Sequence, residues 1–593
     1  MSNNDQKAKT EKSKRTLNRR ELLKLGAMAG SAAIVTSKGF HASGQRLRIN
    51  YGGGGSGSFP LCNDRCYSNC PTISPPVTPF MAALAIPPVA QPSQLTPAPT
   101  LAANTAGGEA PRANHQRWTE FLPAVYYDFH AQEFNHSFHP QYPSQPVWGY
   151  NGYAPGPVIK ARYGTPILVR VHNDLPANHI GFGDPRIVTH LHGGHTASES
   201  DGFAGEFYSS GLFKDHHYPN ILAGYDTFGV DPITGLRGDT RETEGFLFYH
   251  DHRVDFTAAN NYKGLQGFYL MFDPLDSDNE NDPNPAAFRL PSGQYDIPMI
   301  FNDKSFGSNK ILAFDDFNLD GFIGDQFLVN GAIQPYLQVA RRKYRFRLVN
   351  GGPSRFYQFF LSSGQNFTRI SSDGNLLPAP ITQQSVTLGV AERVDVIVDF
   401  SQYPIGTQVY LQNRMEQCNG RGPTGNTISP GVNVLRFDVT SNAADPSRVP
   451  ATLRPLPSVD TSQAVTTRYW KFDNSRNGQW TVNDRVFDIN RVDATVRKGT
   501  AEIWDLKNEG RDWSHPIHIH LESFQVISVN GNYWNSGGVP QDDTGRKDVI
   551  TLGPRDEVQV FIRFREWTGK YVMHCHNQIH EDHAMMIRYD VVP

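Results

Sequence analysis

Four short segments of the chain each place two histidines with a single residue between them. On a β-strand, residues two apart point to the same face, so each pair can present two imidazoles to one place. Eight imidazoles suit a cluster of three copper ions with open positions for oxygen species, whereas a structural zinc site takes four ligands. The pairs are His190 and His192, His250 and His252, His518 and His520, and His574 and His576.

A second metal site is predicted on the opposite face of the same strands. Cys575 lies between His574 and His576, so on a strand it points away from both. His515 precedes His518 by three residues, an odd offset, and faces away in the same manner. Two imidazoles, a thiolate and a distant thioether form the ligand set of a blue electron-transfer copper. The predicted ligands are His515, Cys575, His580 and Met585.

The elements that position these residues are short strands in a weak threefold repeat. A turn followed by a strand of period two occurs near Tyr150, Leu328 and Thr481, which indicates an all-β chain of three similar β-sandwich domains. No histidine lies between His252 and His515, so the middle domain supplies no imidazole and is predicted to be a spacer and a wall of the substrate site. The predicted domains are 79–275, 285–450 and 460–593, preceded by a Gly/Ser/Pro/Cys-rich extension at 44–78.

The N-terminus and the net charge bear on location and partners. Arg19 and Arg20, followed by a mildly apolar stretch, resemble a twin-arginine export signal over residues 1–43. This predicts passage through the twin-arginine export machinery to the periplasm or the medium. Residues 1–43 hold nine Lys/Arg against three Asp/Glu, so the remaining chain has a net charge of −9, which argues against nucleic acid as a partner. No apolar run reaches the length of a membrane span.

The other four cysteines are open to two interpretations. In an oxidising compartment they can form two disulfides, with three possible connectivities. The first three of them can instead bind a metal ion, although no histidine lies close by in sequence. These cysteines are Cys62, Cys66, Cys70 and Cys418.

The histidine segments are similar to the four copper-binding motifs of the multicopper oxidase family, over about residues 79–593. The resemblance implies three cupredoxin-like Greek-key domains and four copper ions. The second site described above corresponds to the type 1 copper, and His190 with His518 corresponds to the type 2 copper. The type 3 pair corresponds to His192, His250, His252, His520, His574 and His576.

Within the family, the chain most resembles the branch of bacterial spore-coat laccase, bilirubin oxidase and phenoxazinone synthase. The residues behind this are the run 190–194, the apolar entry 80–87 and the run from His580 to Met585. That branch uses two acids near the oxygen-reducing cluster, which match Asp201 and Glu581. Reduction of O2 to two waters consumes four protons, and carboxylates can relay them when copper occupies the imidazoles.

The resemblance predicts an oxidase of laccase type. It would oxidise a small phenolic, aromatic amine or tetrapyrrole donor by one electron at a time and reduce O2 to water. The donor is expected to dock at the exposed edge of His580 or His515. The alternative is an oxidase of Mn(II), Fe(II) or Cu(I). A Cu(I) oxidase would be expected to have a methionine-rich segment near the type 1 site, whereas only Met573, Met585 and Met586 lie close together in sequence. For Mn(II) or Fe(II), four carboxylates close in sequence are candidates: Glu522, Asp542, Asp543 and Asp582.

Two further expectations concern residues beside the motifs. Phe248 stands where the family usually has tryptophan, and this is expected to change packing only. Four histidines outside the ligand set are expected to be solvated loop residues: His195, His216, His217 and His583.

Overall fold

A computed structural model describes residues 74–109, 111–474 and 478–593. Strands predominate in it, and they form six sheets. Two sheets come from residues 125–272, two from residues 296–442 and two from residues 464–592. The predicted all-β class is therefore confirmed.

The first pair of sheets has strand orders β2-β1-β4-β6 and β3-β8-β7-β5. Strand β5 pairs antiparallel with β7, and His190 lies opposite His250 in that register. Both strands are buried along their whole length. The strands are β1 (Val125–His136), β2 (Gln145–Tyr150), β3 (Gly156–Arg162), β4 (Ile167–Asn173), β5 (Thr189–His192), β6 (Phe213–Tyr218), β7 (Phe246–Asp251) and β8 (Gln266–Phe272).

The second pair of sheets has orders β12-β11-β9-β14-β19-β16-β17, with β10 beside β9, and β13-β21-β20-β15-β18. Its strands are β9 (Asp296–Phe306), β10 (Leu312–Ala313), β11 (Gln326–Val329), β12 (Ala332–Ile333), β13 (Tyr336–Arg341), β14 (Lys343–Asn350), β15 (Tyr357–Leu361), β16 (Phe367–Ser372), β17 (Asn375–Gln383), β18 (Ser385–Leu388), β19 (Arg393–Asp399), β20 (Gln408–Met415) and β21 (Thr427–Asn442).

The third pair has orders β23-β22-β25-β31-β27-β28, with β29 beside β27, and β24-β33-β32-β26-β30. In the second of these sheets, β26 pairs antiparallel with β32, and His518 lies opposite His574. The strands are β22 (Ala464–Asn474), β23 (Trp480–Val482), β24 (Ala494–Arg497), β25 (Ala501–Asn508), β26 (His515–Ile519), β27 (Phe524–Val529), β28 (Asn532–Tyr533), β29 (Arg546–Lys547), β30 (Val549–Leu552), β31 (Glu557–Arg563), β32 (Gly569–Cys575) and β33 (Met586–Val592).

The helices of the described residues are short. The α-helices are α1 (Ser198–Asp201), α2 (Thr257–Lys263) and α3 (Gln578–Asp582). Single 3-10 turns occur at Thr105–Gly107, Asn114–Gln116, Gly293–Tyr295, Thr461–Gln463, Trp534–Ser536 and Gln541–Asp543. None of these helices is long and apolar enough to cross a membrane.

Each pair of sheets encloses its own apolar core. Strand β25 shows the cause, since its residues alternate between buried and half-buried along most of its length, as expected for a strand with one face on a core. A further apolar cluster joins the three sets, with Phe248 from the first, Ile300 from the second and Val549 from the third. The start of the predicted first domain packs against the second set of strands. Leu84 lies in the core of that set, and its amide donates to the carbonyl of Tyr336.

Candidate active site

The eight paired histidines meet between two sheets. Strands β5 and β7 bring His190, His192 and His250, and His252 follows β7 directly. Strands β26 and β32 bring His518 and His574, followed directly by His520 and His576. All eight side chains are almost completely buried. The sequence pattern of period two therefore corresponds to one shared site, to which the first and third sets of strands contribute equally.

Three of the four histidine pairs are divided between different ligand groups, and His192 belongs to two groups, one of which also contains His190. Three groups have donor atoms within 4.8 Å of one another. In the tightest, His520 Nε2 lies 3.2 Å from His252 Nε2 and 3.3 Å from His574 Nε2. Three nitrogens about 2.0–2.1 Å from a common tetrahedral metal would be separated by about 3.3 Å. The groups are His190, His192 and His518; His192, His250 and His576; and His252, His520 and His574.

Asp201 contacts two of these imidazoles from outside the cluster. Its Oδ2 accepts from His520 Nδ1 at 2.7 Å, and its backbone oxygen accepts from His190 Nδ1 at 2.5 Å. The end of α1 makes this possible, because Gly202 has a φ of +97° and a Cβ there would lie 2.4 Å from the carbonyl oxygen of Thr189. Burial raises the pKa of Asp201 well above its ordinary value, and Lys214 only partly opposes this.

Glu581 bridges two imidazoles of the tightest group. Its Oε1 lies 3.0 Å from His252 Nδ1, and its Oε2 lies 3.1 Å from His574 Nδ1. Burial acts to raise the pKa of Glu581, but the two imidazoles outweigh it and lower the pKa. Both acids predicted from the resemblance therefore hold the outer nitrogens of cluster histidines.

Asp548 has a similar position, and the sequence analysis missed it. Its Oδ1 lies 3.1 Å from His192 Nε2, and its backbone oxygen accepts from His518 Nδ1 at 2.8 Å. Arg393 of β19 donates to both oxygens of the Asp548 carboxylate at 2.5 Å. The only signal in the sequence is an acid directly before the apolar strand β30, which does not reveal its partner.

The second predicted site also assembles. The Nδ1 atoms of His515 and His580 are 3.1 Å apart, and Cys575 Sγ lies 3.5 and 3.6 Å from them. Met585 is fully buried in the same apolar cluster as Cys575, and its carbonyl oxygen accepts from the Cys575 amide. Helix α3 places His580 at this site and the adjacent Glu581 at the cluster, because successive helical residues point about 100° apart.

These donor sets fit metal ions. Six buried cluster imidazoles have a ring nitrogen without a hydrogen-bond partner, which is unfavourable unless a charged group or a cation supplies one: His190, His192, His250, His252, His518 and His576. Burial lowers the pKa of His518 and of His520 well below the ordinary value, so each is neutral and offers a lone pair. Burial raises the pKa of the Cys575 thiol, so its thiolate needs a cation beside it. Imidazole with thiolate and thioether is a donor set that copper prefers.

Comparison with known proteins agrees with this chemistry. Three models of the multicopper oxidase family match residues 132–208, 307–429 and 457–593. The chain is 36% identical to the bilirubin oxidase of Albifimbria verrucaria, over 87% of this chain and 82% of that protein. It is 31% identical to the laccase of Bacillus subtilis (strain 168), over 79% of this chain and 94% of that protein.

The chain is a multicopper oxidase. It is thus a copper-dependent oxidoreductase that uses O2, and both relatives bear names of the branch predicted from the sequence. The laccase of Pediococcus acidilactici has the same fold, with a TM-score of 0.68, 23% identity and coverage of 88% of this chain and 95% of that one. The predicted cupredoxin-like β-sandwich architecture is therefore confirmed.

In this oxidase, neither predicted docking edge is exposed. His515 and His580 are fully buried, which corrects the expectation that one of these imidazoles has an exposed edge at which a donor docks. His580 Nε2 lies 3.3 Å from the carbonyl oxygen of Asp320, and Trp480 packs on the ring at a tilt of 36° with 3.9 Å between centroids. The half-exposed surface above belongs to Asp320, Trp513 and Arg421, and two of these three come from the second set of strands. Residues from the middle of the chain thus cover this site, and its role as a wall of the substrate site stays a prediction.

Three of the four histidines expected to be solvated are buried, and the side chain of the fourth, His195, is only 6% exposed. His195 Nε2 lies 2.9 Å from a carboxylate oxygen of Glu566, and His583 Nε2 donates to the carbonyl of Asp316. His216 and His217 are both buried on β6, and each contacts a backbone carbonyl. The expectation was wrong because sequence context does not show which loops are covered by other elements.

Phe248 packs directly against the cluster. Its ring stacks on His192 with 4.6 Å between centroids and on His250 with 5.1 Å. The substitution for tryptophan therefore lies in direct contact with two cluster imidazoles.

Three of the four carboxylates considered for a metal-ion oxidase contact other groups of the protein. Asp582 accepts from the amides of Thr257 and Ala258 at the start of α2. Glu522 is buried against Arg565 at 2.9 Å. Asp542 contacts Arg369 at 2.7 Å. Asp543 is half-buried in the turn after β28.

Two predictions fall wholly or partly outside the described residues. The export signal and the extension at 44–78 lie there, together with Cys62, Cys66 and Cys70. Cys418 is disulfide-bonded, and Cys575 is a free buried thiol.

Proposed function

We propose that this multicopper oxidase is of laccase type and binds four copper ions, one type 1, one type 2 and a type 3 pair. It oxidises phenolic, aromatic or tetrapyrrole donors by one electron at a time and reduces O2 to two waters with four electrons and four protons. The observation that carries the proposal is the presence of two separate donor sets, one with a thiolate and one with imidazoles alone, connected through Cys575.

The type 1 copper is assigned to His515, Cys575 and His580, with Met585 as the axial ligand. The Sγ and Nδ1 atoms of the first three lie 3.1–3.6 Å apart, which is the spacing of ligands around one ion. Burial of Met585 beside Cys575 in one apolar cluster supports a long thioether contact.

The type 2 copper is assigned to His190 and His518, whose unpartnered nitrogens are both Nε2. One type 3 copper is assigned to the group of His192, His250 and His576. The other is assigned to the group of His252, His520 and His574. This division leaves His192 with Nδ1 toward the metal, because Asp548 engages its Nε2.

When bound, copper supplies one-electron redox chemistry and positions for oxygen species. Cys575 is joined by peptide bonds to His574 and His576, which makes it the shortest covalent connection between the two donor sets. His574 lies on β32 beside β26, so the same strand pair holds both sets in a fixed relation.

Protons reach the cluster through Asp201 and Glu581. Each carboxylate lies within 3.1 Å of the outer nitrogen of a cluster histidine and is almost fully buried. Carboxylates so placed can hold and transfer protons without leaving the site.

Organic donors fit the surface over His580 better than bare metal ions do. That surface presents the half-exposed indole of Trp513, with Arg421 above its ring at 4.8 Å. An aromatic donor can stack there and lie close to the Asp320 carbonyl that accepts from His580.

The twin-arginine signal at Arg19 and Arg20 supports export to the periplasm or the medium. A reporter fused behind residues 1–43, compared with its Arg19→Lys and Arg20→Lys double variant, tests this directly. Loss of export in the variant supports the proposal, and unchanged export contradicts it.

Oxygen uptake by the copper-loaded protein tests the main proposal. A substituted phenol, an aromatic amine, bilirubin, Mn(II), Fe(II) and Cu(I) are compared under one set of conditions. We expect rapid uptake with the organic donors and little with the metals. Rapid uptake with a single metal ion alone would overturn the assignment of substrate class.

A further inference from the structure

A second cluster of metal-binding side chains lies on the outer sheet of the first set, away from the oxygen-reducing site. Asp128 and His130 are two residues apart on β1, so both point to the same face. His172 on β4 lies directly opposite His130 in the parallel register. The alternation of side chains along β1 and its pairing register with β4 therefore bring two imidazoles and a carboxylate together on one face of the sheet.

The carboxylate lies between the two imidazoles. Asp128 Oδ1 is 3.0 Å from His172 Nε2, and Asp128 Oδ2 is 3.8 Å from His130 Nε2. One donor atom from each of the three lies within 4.8 Å of the other two. Two imidazole nitrogens and a carboxylate oxygen are a common protein ligand set for Zn²⁺, with water as the fourth ligand.

A second carboxylate orients one of the imidazoles. Asp174 Oδ2 lies 2.6 Å from His130 Nδ1, which therefore donates and leaves the lone pair on Nε2. This is the arrangement of a metal-binding histidine, whose other ring nitrogen is held by a carboxylate.

We propose that Asp128, His130 and His172 bind a divalent transition-metal ion, with Zn²⁺ as the ion best matched, and that Asp174 positions His130. The four side chains are between 20% and 45% exposed, so a hydrated ion has access. The rings of His130 and His172 lie parallel with 4.5 Å between centroids, so one of them turns when both lone pairs converge on the ion. Binding of the ion would cross-link β1 and β4 and stabilise the folded first set of strands.

Calorimetric titration of Zn²⁺ into the copper-loaded, full-length protein tests the proposal. Filled copper sites keep the titration independent of the oxidase assignment. We expect one additional site in the parent chain and a rise in Tm with Zn²⁺. The variants His172→Gln and Asp128→Asn should each weaken binding by at least about 10-fold, and Asp174→Asn by about 10-fold through loss of the outer contact.

The matched control is His115→Gln. His115 is a partly exposed histidine that lies 2.8 Å from the carboxylate of Glu199, elsewhere in the first part of the chain. Its substitution should leave the dissociation constant unchanged. Equal affinity of parent, His172→Gln and Asp128→Asn would overturn the proposal, as would the absence of an additional site in the parent. Two ligand variants are used so that the test does not depend on the folding of one of them. Copper content and blue absorbance show whether each variant is folded.

Discussion

The carboxylate of Asp548 lies 3.1 Å from Nε2 of His192, although the two residues are 356 positions apart in the chain. The same carboxylate is held by Arg393, which belongs to the second set of strands. The part of the chain that supplies no imidazole therefore still positions a cluster ligand, through one arginine and one aspartate.

Asp548→Asn should weaken copper binding at the cluster. An amide cannot accept charge-assisted hydrogen bonds from Arg393 and the imidazole as the carboxylate does, and loss of an outer contact to a metal ligand typically lowers metal affinity by about 10- to 100-fold. Copper content and the electron paramagnetic resonance signal of type 2 copper check this. Asp542→Asn serves as the control, because Asp542 is exposed at its contact with Arg369. Full copper content in Asp548→Asn would contradict the positioning role.

Cys575→Ser should abolish both the blue absorbance and turnover, while the imidazole cluster keeps its copper. The hydroxyl cannot replace the thiolate as a soft ligand or as the connection to His574 and His576. Absorption spectra, copper analysis and oxygen uptake measure the three effects. Met585→Leu is the matched control, because it should keep the blue colour and change only the reduction potential. Turnover by Cys575→Ser would refute the connection between the sites.

Glu581→Gln should slow the reaction with O2 and leave oxidation of the donor unchanged. The variant keeps the size of the side chain but cannot carry a proton, and loss of a positioned proton carrier typically slows a reaction by about 100-fold or more. The two half-reactions are measured separately. The rate at which a phenol bleaches the blue colour without O2 reports donor oxidation, and the rate at which the colour returns with O2 reports O2 reduction. Asp201→Asn should act in the same direction. Glu509→Gln, a partly exposed residue paired with Arg555, should alter neither half. Equal slowing of both halves would indicate a structural defect instead.

His195→Gln should destabilise the protein more at about pH 6 than at about pH 9. Burial acts to lower the pKa of His195, but Glu522 and Glu566 outweigh it and raise the pKa. A histidine whose pKa is higher in the folded than in the unfolded protein stabilises the fold. This stabilisation is complete below the unfolded pKa of about 6.5 and is lost as the pH rises through the folded pKa. The difference in Tm between parent and variant at the two pH values measures it.

His136→Gln provides a control of opposite sign for that experiment. Burial lowers the pKa of His136, which donates to the carbonyl of Gly331 as a neutral ring. A lowered histidine pKa makes folding less favourable in acid, so the loss in Tm caused by His136→Gln should shrink toward low pH. Parallel behaviour of the two variants would contradict the assigned charge states.

The sequence by itself determined the local arrangement of the donor atoms. Parity along β32 separated Cys575 from His574 and His576, and the odd offset of His515 put it on the same side as Cys575. These inferences held in the geometry because the alternation of side chains is a property of any extended strand, whatever surrounds it. The motifs were also specific enough to indicate the family, and through it Asp201 and Glu581.

Only the tertiary structure decided what lies around those donors. It divided three of the four histidine pairs between ligand groups, brought Arg393 and Asp548 to His192, and covered the side chains of His195 and His580. These outcomes depend on how sheets from distant parts of the chain pack against each other. The local alternation of residue types along a strand carries no information about that packing. The Asp128 and His172 contact has the same origin, since it required the parallel pairing of β1 with β4, which sequence spacing does not reveal.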